Sequence, residues 1–284
     1  MVLQLAACSP RQLVVGQVAD ELASQPLGDE SDLLLVRDAA PYHLKLSEAV
    51  LAKSPAHRKL AESVASGFTQ YAYAFVAFEA DRIEATSARE AEAMRQRAAK
   101  LYRRANRHAM TALELNDPGF AARLGSADAR DWPSIRPDEV GLAYWAAASW
   151  AAWISLSKDK PDVVADLPLA IRLATLAWQA DPNWSDGATT GLMAMLESSR
   201  PGGNRDKALA YFERAIDISG ERSLSPWVAK AEGHALPAGD RDLFVALLNR
   251  ALAIPEAEGS PLALQNEVMR RRASWLLANL EDLF

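Results

Sequence analysis

The single cysteine, Cys8, is the residue with the clearest potential for covalent chemistry. With the three residues before it, it forms Leu-Ala-Ala-Cys, which resembles a lipobox, where a signal peptidase cuts and the new N-terminal cysteine is acylated. Only seven residues precede Cys8 and none is Lys or Arg, so residues 1–8 resemble a truncated lipoprotein signal. From these four residues alone, a lipid-attachment site and an ordinary buried cysteine are about equally good interpretations.

The histidines, in contrast, have no spacing that suits metal binding. They are His43, His57, His108 and His234, and no two lie three or four residues apart, as two ligands on one helix face must. The chain contains no His-Glu-x-x-His, Gly-x-Ser-x-Gly, Walker or calcium-loop motif. We therefore predict no metal, no cofactor and no catalytic residue. The alternative of an enzyme stays open only through an unrecognised helical active site.

Two arginine groups are predicted to lie on solvated helix faces with glutamate partners, although a docking patch for a partner protein is another interpretation. They are Arg103, Arg104 and Arg107, and Arg270, Arg271 and Arg272. The glycine-rich segment 201–204 is too short to cradle a phosphate and predicts a turn between helices.

Aromatic side chains give a sharper hypothesis about binding. Two sets occur at helical spacing: Tyr71, Phe75 and Phe78 in one segment, and Tyr144, Trp145, Trp150 and Trp153 in another. Apolar pockets are mainly lined by such residues, and Tyr and Trp also carry polar groups that can orient a ligand. For any one of the seven, plain core packing is the better interpretation, while the set as a whole predicts a contribution to a ligand cleft.

Composition indicates which elements must position these residues. The chain has 284 residues, of which 55 are alanine and 50% are hydrophobic, and alanine favours helix because it loses no side-chain entropy there. The net charge of −6 argues against a nucleic-acid-binding protein, whose affinity comes mainly from Lys and Arg. We find no strand-like alternation and predict an all-α fold.

Periodicity and turn residues predict helices along nearly the whole chain. The predicted ranges are 31–38, 42–53, 60–84, 87–115, 120–124, 138–157, 163–180, 184–198, 204–219, 224–235, 240–253 and 261–281. The segment 140–156 has no charged residue but is short and alanine-rich for a membrane span, so we predict a helix buried in a large core.

Small residues recur at a spacing typical of the second helix of a tetratricopeptide repeat. The copies are Ala105, Ala109 and Ala112; Ala170, Ala174 and Ala177; and Ala208, Phe212 and Ala215, with a weaker one that ends at Ala251. The intervals between them are 65 and 38 residues, whereas a regular array has a period of about 34. The pattern predicts a degenerate, tetratricopeptide-like superhelix of stacked antiparallel helix pairs.

Several segments, in order, are similar to the TRAP-transporter T-component (TatT) lipoprotein family. They are Asp32–Arg37, Leu44–Glu48, Gln70–Val76, Arg97–Ala105, Asp138–Trp145, Trp150–Ile154, Ala165–Pro168, Asp181–Ala188 and Phe212–Ile216. The agreement extends over about residues 30–280. One departure is Gly141, where a residue such as proline is expected.

The resemblance implies a non-enzymatic accessory protein of the bacterial periplasm. It strengthens lipid attachment at Cys8, which leaves residues 9–284 as a single all-α domain held by a lipid anchor, in the outer membrane or another bacterial membrane. It further implies a homotrimer, a TRAP-type solute-binding protein as partner, and an apolar ligand in a cleft or tunnel. The alternative is a general tetratricopeptide scaffold that binds peptides and has no role in transport.

Overall fold

The computed structural model describes residues 10–24, 28–255 and 259–284. Throughout these ranges the secondary structure is helical and no strand occurs, so the predicted all-α class is confirmed. The helices are α1 (Pro10–Ser24), α2 (Leu33–Leu51), α3 (Arg58–Ala72), α4 (Phe78–Ile83), α5 (Ala88–Asn116), α6 (Phe120–Leu124), α7 (Val140–Ser155), α8 (Pro161–Val164), α9 (Leu167–Ala180), α10 (Trp184–Ser199), α11 (Arg205–Ser219), α12 (Ser225–Lys230), α13 (Leu236–Ala238), α14 (Arg241–Leu252), α15 (Ala263–Ala278) and α16 (Leu280–Leu283).

Near the N-terminus the helices differ from the prediction. Helix α1 has no predicted counterpart, and α2 is one helix where two were predicted on either side of Pro41. The Asp32 side chain caps α2 by accepting hydrogen bonds from the backbone N–H groups of Leu34 and Leu35 at 2.9 and 3.1 Å. Pro41 and Arg37 are both exposed, so the Arg37 carbonyl that proline deprives of a partner lies on the side open to water.

Two π-helical turns interrupt otherwise continuous helices. The first, Tyr73–Ala77, joins α3 to α4, and the second, Ala231–Ala235, joins α12 to α13. In each, the next backbone N–H, of Phe78 or Leu236, donates to a carbonyl five residues earlier. Such turns occur frequently at functional sites.

The core is built from helices that pack largely in chain order. Helix α5 packs between α3 and α7, α7 against α9, α9 against α10, and α10 against α11. The residues of the predicted tetratricopeptide spacing are all buried: Ala105, Ala109, Ala112, Ala170, Ala174, Ala177, Ala208, Phe212, Ala215 and Ala251. Their small side chains allow the helices to approach closely. The superhelix as a whole stays a prediction.

The uncharged segment forms α7, whose residues Leu142, Ala146 and Trp150 are buried in the largest hydrophobic cluster. By length and composition alone, Pro161–Ala180 is apolar enough to cross a membrane. Its larger part, α9, packs against α7 and α10 and buries Leu173, as a core helix does.

Helices near the two ends of the described chain are in contact. The backbone N–H of Leu264 in α15 donates to the carbonyl of Gly28 at 2.9 Å. Val36 and Ala40 of α2 share a small buried cluster with Val268 of α15. Helix α15, near the C-terminal end of the described chain, thus packs against α2, near its N-terminal end.

Candidate functional site

The two π-helical turns are linked by the side chain of Arg272. Its Nη1 donates to Oδ2 of Asp81 at 2.7 Å, and its Nη2 donates to Oε1 of Glu232 at 2.6 Å. Asp81 lies on α4, just after the first π-helical turn, and Glu232 lies within the second. Only 13% of the Arg272 side chain is exposed. The pair of contacts therefore joins the N-terminal and C-terminal helices through a largely buried guanidinium.

Aromatic rings enclose this arginine. Its Cζ atom lies 5.0 Å from the ring centroids of both Phe78 and Trp275, a distance at which cation–π attraction contributes. Burial lowers the pKa of Arg272, but the neighbouring carboxylates outweigh this effect and raise it overall, so the group stays charged. Burial also raises the pKa of the Tyr73 and Tyr102 phenols, and both remain protonated.

In the first predicted aromatic set, two side chains are half-buried and the third is buried. Tyr71 and Phe75 are half-buried, with ring centroids 5.4 Å apart. Phe78 is buried and packs edge-on against Trp275 at 5.8 Å. Tyr71 and Phe75 therefore fit the wall of a cleft better than Phe78 does.

The second aromatic set also contains both half-buried and buried side chains. Tyr144 lies 4.9 Å from Trp145 and 5.0 Å from Trp184, measured between ring centroids, and burial raises the pKa of Tyr144 to about 12. Trp153 is half-buried. The Cζ atom of Arg103 lies over its indole ring, 5.5 Å from the ring centroid. Trp150 is buried, and its indole N–H has no partner among the described residues.

Within the described ranges the two sets meet at two buried clusters. Tyr71 packs against the largest cluster together with Trp145 and Trp153, and a smaller cluster also receives residues of both sets. Tyr71 and Trp153 both pack against the buried cluster that contains Tyr102, whereas Phe75 packs towards α15. Half-buried aromatics from both sets thus adjoin both clusters.

The surroundings of Arg270 and Arg272 differ from the prediction that the second arginine group lies on a solvated helix face. Arg271 has 38% of its side chain exposed, but Arg272 is enclosed as described above, and Arg270 donates to the backbone carbonyls of Leu252 and Ile254 at 3.2 and 3.0 Å. Sequence reasoning identified Arg272 as part of an arginine group but missed its partners Asp81 and Glu232, because the charges lie far apart along the chain. Cys8 lies outside the described residues. In the described ranges, no group of three His, Cys, Asp or Glu side chains is placed to hold a metal ion.

Together, these features define a protein whose described residues are helical, whose helices pack in series, and in which an enclosed arginine joins α15 to α4 and to the second π-helical turn. A family described as TRAP transporter T-component matches residues 29–284. The chain belongs to this family. It is also 28% identical to an uncharacterized protein of Treponema pallidum (strain Nichols), over 308 aligned positions that span 99% of this chain and 94% of the relative.

Membership gives the chain an accessory role in TRAP transport. Proteins of the family are transport accessories that are not known as enzymes. They are generally extracytoplasmic and associated with a membrane.

Proposed function

We propose that this protein is a non-enzymatic, periplasmic accessory component of a TRAP-type uptake system, anchored by a lipid at Cys8 and bound to a solute-binding protein. The family match over residues 29–284 carries the proposal. The lipobox-like Leu-Ala-Ala-Cys order supports the anchor, because an acyl chain holds a protein at a membrane without a spanning helix.

Helix α2 offers a surface for the solute-binding protein. Leu35, Tyr42 and Leu46 are all exposed, Tyr42 to 76%, and their spacings of seven and four residues place them on one helix face. Contiguous exposed apolar patches mark protein interaction sites, whereas scattered single residues do not. We therefore assign this face, which we call the α2 face, to the partner.

Binding of the solute-binding protein can be followed by sedimentation velocity. The purified chain and the solute-binding protein from the same uptake system are run separately and mixed. We expect a faster-sedimenting complex that weakens about tenfold or more in the double variant Leu35→Ser, Tyr42→Ser, because interface aromatics contribute most of the binding energy. Met195→Ser is the matched control, since Met195 is also exposed but lies on α10. Absence of a complex, or equal binding by the double variant, would contradict docking at the α2 face.

An apolar ligand is the second part of the proposal. Half-buried aromatics from both sets, above all Tyr71 and Trp153 near Tyr102, support a wall for such a ligand. We expect Trp153→Ala to weaken binding of an apolar fluorescent probe while the melting temperature changes little. Trp150→Ala serves for comparison, because this side chain is buried and its loss should cost about 3–5 kcal/mol of stability. Unchanged probe binding in Trp153→Ala would remove this residue from the wall.

A further inference from the structure

A separate pocket lies between the C-terminal half of α2 and the middle of α5. Its volume is about 460 Å³, which is in the range of small-molecule sites. Part of its lining is apolar and includes Leu51, Ala52 and Pro55. The rest of the lining includes Lys45, Arg104 and Thr111. A lining that combines apolar and cationic groups suits an amphiphilic anion.

Glu48 also lines the pocket, but its charge is already fully engaged. Arg104 donates to Oε1 through Nε at 2.6 Å and to Oε2 through Nη2. Lys45 Nζ lies 2.5 Å from Oε2, and His108 Nε2 lies 2.8 Å from Oε1. Both carboxylate oxygens thus have two partners each, so Glu48 has little capacity left to bind a cation.

The remaining charge of the pocket is positive. Lys45 and Arg104 together carry two positive charges against the single negative charge of Glu48. The Cζ atom of Arg104 lies over the Phe68 ring, 5.0 Å from the ring centroid. Arg104 uses only Nε and Nη2 to bind Glu48. Its Nη1 is therefore left to bind another acceptor. Lys45 is 60% exposed and can turn towards a ligand, since its ammonium has three donors.

We propose that this pocket binds a small carboxylate with a short apolar chain. The carboxylate lies between Lys45, Nη1 of Arg104 and the Thr111 hydroxyl, and the chain lies against Leu51, Ala52 and Pro55. The apolar residues of the lining favour such a molecule over inorganic phosphate, which has no apolar part to place against them. The site is separate from the aromatic sets and adjoins the α2 face, because its residues Lys45 and Ala49 follow Tyr42 by three and seven positions on the same helix.

Isothermal titration of the full chain tests this assignment with three probes: hexanoate, hexanol and inorganic phosphate. We expect saturable binding of hexanoate and at least about tenfold weaker binding of the other two, because each lacks one of the two features that the pocket recognises. Equal binding of hexanol would overturn the role of the charge, and equal binding of phosphate would overturn the role of the apolar lining residues. No saturable binding of hexanoate at millimolar concentration would overturn the proposal as a whole.

Variants then locate the site. Lys45→Gln and Thr111→Val change exposed residues and should each weaken hexanoate binding by about three- to tenfold. Lys53→Gln is the matched control, because Lys53 is exposed just after α2 and is not part of the pocket. Circular dichroism verifies that the variants keep their helical content. If Lys45→Gln and Thr111→Val bind hexanoate as the unmodified chain does, or if Trp153→Ala alone abolishes binding, the anion site is not in this pocket.

Discussion

At Gly141, where the family resemblance predicts a residue such as proline, the structure gives a reason for glycine. A Cβ atom at this position would overlap the Glu62 carboxylate of α3. Gly141 is the second residue of α7, so the carboxylate lies beside the N-terminus of that helix, where the macrodipole favours negative charge. Glycine here allows α3 and α7 to approach, and proline would occupy the same space as the carboxylate.

Glu62 and Glu48 are both partly buried, but their environments shift their pKa values in opposite directions. Burial raises the pKa of Glu62. Burial has the same effect on Glu48, but hydrogen bonds from Arg104, Lys45 and His108 outweigh it and lower its pKa to about 2. The ionised form is therefore favoured by folding at Glu48 and disfavoured at Glu62.

These shifts predict opposite responses to acid. Because the folded pKa of Glu48 lies below its unfolded value, its contribution to stability is complete above about pH 4.5 and is lost as the pH falls towards 2. Glu62, with a raised pKa, should instead gain stability as the pH falls through its folded pKa. We expect Glu48→Gln to reduce the loss of unfolding free energy in acid, and Glu62→Gln to stabilise the protein at neutral pH. Urea unfolding at several pH values measures both. Parallel pH profiles for the two variants would contradict the opposite pKa shifts of the two carboxyl groups.

The residues of the Arg272 site show where prediction from sequence stops. Helical spacing identified the aromatic residues as a group because it is a local property, and it correctly indicated that their helices have apolar faces. It could not separate buried Phe78 and Trp150 from half-buried Tyr71 and Trp153. Nor could it pair Arg272 with Asp81, because these residues are 191 positions apart and meet only through the tertiary fold.

At the scale of elements, the two π-helical turns are held to each other by one side chain. Arg272 of α15 contacts Asp81 beside the first turn and Glu232 within the second. Each turn inserts a residue into its helix and changes which side chains face the neighbouring helix. Arg272 therefore fixes the relative position of two elements that have irregular hydrogen bonding.

Removal of the Arg272 guanidinium should lower the free energy of unfolding. Arg272→Met leaves two carboxylates without their common partner, and breaking a largely buried ion pair costs about 3 kcal/mol or somewhat more. Arg271→Met is the matched control, because Arg271 is more exposed and lies 3.8 Å from Glu79; we expect a change within about 0.5 kcal/mol. Urea unfolding compares the two. Similar losses for both variants would show that Arg272 has no special linking role.

Helices were easier to predict than their irregularities. The predicted helix at 87–115 forms as α5, because its apolar residues follow a clear helical period and Asp117-Pro118 ends it. Helix α1 was missed because its apolar residues do not gather on one face. A π-helical turn leaves composition and length almost unchanged, so it gives no recognisable signal in a single sequence.

At the scale of the whole molecule, the family resemblance predicts a homotrimer. The sedimentation run that measures the solute-binding protein also measures the chain alone, whose mass is 30.9 kDa per protomer. We expect the unmixed chain to sediment as a trimer, and to remain one in the Leu35→Ser, Tyr42→Ser variant if the α2 face binds the solute-binding protein. A strict monomer at high concentration would contradict the trimer. If the double variant no longer forms a trimer, the α2 face lies at the contact between protomers and does not bind the solute-binding protein.

Because α15 covers part of α2 and the first π-helical turn, the helices near the two ends protect each other. An open array of helix pairs can lose its terminal pairs one at a time, since each pair contacts only its neighbours. Here, detachment of α15 exposes the buried cluster that contains Val36 and Ala40, so the loss of one end weakens the other. Unfolding should therefore proceed in a single cooperative step, and folding should be slow for a helical protein, because contacts between distant parts of the chain must form to complete it.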